Sequence, residues 1–125
     1  MSKVLGYFVF QEVGDGCLLA KYSNWTLRSP LTEAAKLTPM DQTVEAYVGQ
    51  YLSTWIDNPA LGTPFQQTDR AVLKIQRKPG TTGIFTLLWD NGQKFSGEGM
   101  LFNNLLVGSY WNPELYDGTT DLVLP

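Results

Sequence analysis

Apolar and polar side chains alternate with a period of two along most of this chain, the periodicity of a half-buried strand. Val4 to Phe10 is β-branched and aromatic, Gly14-Asp15-Gly16 supplies a turn, and Cys17 to Tyr22 resumes the pattern, so the chain is expected to open with a β-hairpin. Asn24 to Pro30 reads as a loop or a distorted strand. Leu31 to Leu37 (Leu-Thr-Glu-Ala-Ala-Lys-Leu) is built from good helix formers behind Ser29-Pro30, and predicts a short helix that ends before Pro39, with an extended edge as the alternative. Val44 to Ile56 places Tyr47, Tyr51 and Trp55 four residues apart, a spacing that suits a helix face and a strand face alike. Gly49, the β-branched Val48 and Thr54, and the aromatics favour strand there. Asn58-Pro59 and Gly62-Thr63-Pro64 mark a long turn.

The second half predicts an antiparallel meander over residues 69–111. Ala71, Leu73 and Ile75 alternate with Val72, Lys74 and Gln76; strands follow at Ile84 to Asp90, Gln93 to Phe102 and Leu105 to Trp111. The turns between them are Pro79-Gly80-Thr81-Thr82-Gly83, Asn91-Gly92 and Asn103-Asn104. The tail, residues 112–125, reads as a loop, with Leu122-Val123-Leu124 as a candidate docked strand. No linker, low-complexity tract or charge block divides residues 1–125, so one all-β domain is expected.

Two-residue turns at Asn91-Gly92 and Asn103-Asn104 would sort the side chains of this meander onto two faces. One would hold Ile84, Thr86, Leu88, Phe95, Gly97, Gly99, Leu101, Leu106, Gly108 and Tyr110, almost free of charge, with Tyr110 covering a glycine across the strand pair. The other would hold Phe85, Leu87, Trp89, Lys94, Ser96, Glu98, Met100, Val107, Ser109 and Trp111. Two tryptophans among serines and charges admit two readings. Either this face lines a cavity, where aromatics give contact area and hydroxyls direction, or it is a half-exposed exterior packed under the tail or against another subunit.

Composition narrows the chemistry. The chain of 125 residues has no histidine, which removes histidine bases and ligands, and a single cysteine, which removes intrachain disulfides and paired-cysteine metal or redox motifs. Its net charge of −3, with no basic run, argues against nucleic acid. Cys17 lacks a histidine partner and reads as a packing residue. A carboxylate enzyme would need Glu98 with Asp90 or Asp57, pairs that any chain with 12 acids supplies. Asp117 to Asp121 lacks the spacing of a calcium loop, and Gly14-Asp15-Gly16 and Gly97-Glu98-Gly99 read as turn or bulge glycines rather than phosphate cradles. No catalytic, cofactor or metal residue is assigned. The apolar run after Met1 is short, broken by Gly6 and without a cleavage site, so a cytoplasmic location is expected, a mature secreted form with an added Met being the alternative. The Asn24-Trp25-Thr26 sequon is then coincidental.

Over residues 46–112 the chain resembles the calycin group, lipocalins and avidins, through Gly49-Gln50-Tyr51-Leu52-Ser53-Thr54-Trp55 as an opening strand and the close from Gly97 to Trp111. The resemblance implies a small up-and-down barrel whose interior or mouth takes a small ligand. Gly49 is followed two positions on by Tyr51 where lipocalins carry tryptophan, and the biotin contacts of avidins find no counterparts. The expectation is therefore a non-enzymatic barrel for a small hydrophobic or amphipathic molecule, bound by Trp89, Trp111, Ser96, Ser109 and Glu98, with Tyr51 and Trp55 at the mouth. The alternative is an interaction module that dimerises through an exposed aromatic face.

Overall fold

Eight strands follow one another in the computed structural model: β1 (Leu5–Gly14), β2 (Cys17–Asn24), β3 (Leu31–Leu37), β4 (Gly49–Ile56), β5 (Thr68–Arg77), β6 (Ile84–Asp90), β7 (Lys94–Phe102) and β8 (Leu105–Trp111). The structure describes residues 5–25, 30–38, 45–56 and 68–112. Each strand pairs antiparallel with the next, and β8 returns to β1, which closes the barrel. Closure leaves neither edge strand with an unpaired row of backbone groups. The fold is all-β, as the alternation predicts, and its last four strands are the predicted meander.

The interior is filled by one side of each strand: Phe8 and Phe10 from β1, Leu18 and Ala20 from β2, Leu73 and Ile75 from β5, Phe85, Leu87 and Trp89 from β6, and Leu106 and Tyr110 from β8. The aromatic rings interlock edge-on, Phe8 with Phe10 at 5.5 Å and with Trp89 at 5.8 Å. Such pairs contribute about 1 kcal/mol each beyond the area they bury. Glycines make room for them, since a methyl added at Gly6 would come within 2.6 Å of the Tyr110 ring. Tyr110 thus covers a glycine across a strand pair, on β1 as well as opposite Gly97 of β7.

Three expectations are corrected. Leu31–Leu37 is strand β3, not a helix: seven residues are too few for a stable isolated helix, and pairing with β2 and β4 satisfies the backbone on both sides. The β6–β7 connection is three residues long, so Trp89 faces Phe95 and Asp90 faces Lys94. A two-residue type I′ turn needs positive φ at both central positions; here Gly92 has φ 98° while Asn91 does not share that conformation. Instead Asp90 and Asn91 each accept a bond, at 3.0 Å, from the amide two residues ahead. Gly97-Glu98-Gly99 is neither turn nor bulge but the middle of β7, its glycines packed against Phe8. The bulge falls in β1, between Glu12 and Gly14.

Other readings hold. Asn103-Asn104 is a two-residue turn with φ of 49° and 65°, and Phe102 pairs Leu105. Gly49–Ile56 is strand, and the residues before it bend, with Tyr47 at φ 68°. One further reading is corrected: Cys17 faces outward and is half-buried rather than a core residue. The sequence readings of residues 1–4, 26–29, 39–44, 57–67 and 113–125 lie outside the described residues. No described helix is long and apolar enough to cross a membrane, a statement that leaves strands aside.

Candidate binding site at the Glu33 end of the barrel

The two ends of the barrel differ. At one, the connections β1–β2, β3–β4, β5–β6 and β7–β8 meet, and Tyr47 fills the space between them. Its hydroxyl donates toward the Asn104 carbonyl at 2.6 Å and lies 3.2 Å from that of Phe10, while the Tyr51 hydroxyl donates to the Tyr47 carbonyl at 2.9 Å. This end is plugged by side chain.

The other end carries Tyr22, Trp55 and Phe95, all half-buried and packed against the core, above Trp89 and Tyr110. Tyr110 sits between Tyr22 and Phe95, with ring centroids 6.3 and 6.2 Å away. Its hydroxyl accepts from Asn24 Nδ2 at 2.8 Å. Burial pushes the phenol up to about 12, helped by the negative charge of Glu33 and opposed by the Asn24 bond.

Below these rings lies Glu33, only 4% exposed, which strand alternation turns inward between the outward Thr32 and Ala34. Ser53 of β4 donates its hydroxyl to Glu33 Oε2, and Trp89 Nε1 donates to the same oxygen at 2.8 Å. Removal from water raises the carboxyl from 4.5 to about 7, against the lowering effect of those two bonds. Near neutral pH it is therefore poised between a hydrogen-bond donor and a buried anion. The carboxyl thus lies beside the rings of Trp89 and Tyr110; among the described residues no cluster of three acidic or cysteine side chains could hold a metal.

The register correction splits the predicted set. Trp89 is inside, 7% exposed, and Trp55 stands half-buried at the Glu33 end. Tyr51 is buried at the plugged end rather than at the mouth. Trp111, Ser96, Ser109 and Glu98 are on the outer wall as two cross-strand pairs, Ser96 with Trp111 and Glu98 with Ser109. Glu98 there meets Lys78 at 2.5 Å. The predicted acids do not converge in a pocket: Asp90 and Glu98 are both on the outer wall, opposite Lys94 and Thr86, and Asp57 lies outside the described residues. An outer hollow of about 330 Å³, lined by Gln50, Val72, Lys74, Leu88 and Asp90, shares no residue with the predicted site.

Glu33, Ser53, Tyr22, Phe95 and Tyr110 were not among the predicted binding residues. The signal for Glu33 was present: it is the one charged position in the alternating series Leu31, Glu33, Ala35, Leu37. Fold and site together define a closed eight-stranded antiparallel barrel with one plugged end and one aromatic-rimmed end over a buried carboxyl. No family profile, curated protein or solved structure matches the chain significantly.

Proposed function

We propose that the protein is a non-enzymatic, calycin-like barrel that binds a small amphipathic molecule at its Glu33 end. The observation that carries this reading is the asymmetry of the ends: Tyr47 plugs one, while half-buried Tyr22, Trp55 and Phe95 overlie a nearly inaccessible carboxyl at the other. Burying an acid costs several kcal/mol unless it is paired or hydrogen-bonded, so its retention at this end supports the reading. The up-and-down order of eight neighbouring strands supports the calycin likeness. Titration with anilinonaphthalene probes and a panel of amphipathic metabolites, followed by tryptophan emission, tests the assignment. Binding weakened by Trp55→Ala or Tyr22→Ala, and unchanged by Ser109→Ala on the outer wall, supports it; binding indifferent to both rim substitutions sinks it.

A second reading rests on the outer wall. Val9, Val107, Met100 and Ile84 lie side by side across β1, β8, β7 and β6, and Phe102 beyond them is 65% exposed. Such a row fits association of two copies. Sedimentation showing a dimer that Met100→Lys dissociates supports it, and a monomer at high concentration removes it.

A further inference from the structure

The two bonds to Glu33 converge on one of its oxygens, Oε2. Among the described residues nothing donates to Oε1, yet no buried side-chain oxygen or nitrogen lacks a partner. Oε1 is therefore an acceptor that still touches accessible space inside the barrel wall. The described basic side chains are all elsewhere. Lys21, Lys36, Arg70, Lys74 and Lys94 are exposed, while Arg77 and Lys78 pair with Glu45 and Glu98. An ionised Glu33 thus has no counter-charge from the described residues. Around it the Glu33 end presents, among the described residues, the rings of Tyr22, Trp55, Trp89, Phe95 and Tyr110, whose π faces attract cations and whose bulk suits an apolar body.

We infer that Glu33 Oε1 anchors the head of a cationic ligand, a protonated amine on an apolar body, with the aromatic rim covering that body. This inference rests on the binding reading above and specifies its ligand class. A neutral head would bring the anion no charge partner, and a carboxylate head would repel it. The amine supplies both the charge and the missing donor in a charge-assisted bond. Among the described residues, the other ionisable groups at inward positions near the core are phenols, Tyr22 on β2, Tyr51 on β4, Tyr110 on β8 and Tyr47 ahead of β4, while Glu12 of β1 and Arg77 of β5, opposite Phe85 and bonded to Glu45, lie at the plugged end. Asp69 of β5 takes the register position opposite Trp55 at the Glu33 end, an acid and so no counter-charge to Glu33. Glu33 is thus the group whose ionisation should govern cation binding near neutral pH.

The test titrates the full chain with butyl- to dodecylammonium and with phenylethylammonium, each beside its matched alcohol and carboxylate, by calorimetry and tryptophan emission. The expected result is an amine preference of about tenfold or more over the alcohol at about pH 8, the worth of one charge-assisted bond. Amine affinity should fall about thirtyfold by about pH 5.5, as Glu33 takes up a proton. Glu33→Gln should abolish the amine preference and its pH dependence while alcohols bind as before. Should the variant fail to fold by circular dichroism, the pH arm on the wild-type chain decides alone. Alcohols or carboxylates that bind as well as amines, independently of pH, overturn the cation anchor and leave the binding site standing. If none of the three series binds, the binding reading fails with it.

Discussion

Replacing Glu33 by Gln should make the barrel's stability insensitive to pH across the neutral range. The side chain keeps its length and an oxygen that accepts from Ser53 and Trp89, and loses only its ionisation. In the folded chain the carboxyl is raised to about 7 from 4.5, so the native state holds its proton more tightly than the unfolded one. Stability from this group is complete below about pH 4.5, where both states are protonated, and is lost as pH rises through about 7. The shift corresponds to about 3 kcal/mol, a large share of a small domain's total. The chain has no histidine, so no other ordinary side chain titrates in the middle of that window. Urea unfolding followed by tryptophan emission, from about pH 4.5 to 8, measures the effect directly. The wild-type chain should lose roughly 3 kcal/mol relative to Glu33→Gln across the series, most of it between about pH 5 and 7. A constant difference between the two proteins at every pH would refute a buried, proton-holding Glu33.

Ser53→Ala removes one of the two donors that lower the Glu33 carboxyl, so its titration midpoint, read by the carboxyl 13C shift, should move above about 7; an unchanged or lower midpoint contradicts the assigned bond. Tyr47→Phe deprives the plug of its contacts with the Phe10 and Asn104 carbonyls and should cost about 1–3 kcal/mol in urea unfolding, an undiminished stability arguing against a plugged end. Gly108→Ala drives a methyl against the Glu98 carbonyl oxygen and to 2.6 Å from Gly99 Cα, so a loss of about 3 kcal/mol is expected. Gly80→Ala, with nothing within 4 Å but φ at +76°, should lose only about 1 kcal/mol. Equal melting shifts for the two alanines would show that the close β7–β8 approach is not what demands glycine.

Local signals were enough for the all-β class, the β1–β2 hairpin and the strands of the meander. Alternation of Ala71, Leu73 and Ile75 needs no knowledge of the rest of the chain to name an inner face, and Asn103-Asn104 carries its own left-handed preference. At Asn91-Gly92 the same reasoning failed by one residue, because Asp90 and Asn91 hold a three-residue turn by side-chain bonds. A slip of one residue turns a whole strand over. It placed Trp89 with Trp111, Ser96, Ser109 and Glu98, although the barrel wall separates it from all four.

Propensity likewise named a helix at Leu31–Leu37, where differences of a few tenths of a kcal/mol per residue are outweighed by backbone pairing on both sides. With that segment read as a helix, Glu33 took no place in the strand alternation and was assigned no role. What the sequence by itself determined is the material: strand periodicity, an aromatic surplus, and the absence of histidine that leaves neutral pH to other groups. What the tertiary structure decided is which side of the wall each residue occupies. Inside and outside are set by closure of β8 onto β1, a contact between chain ends that no local spacing encodes, and closure brings Glu33 of β3 to Trp89 of β6.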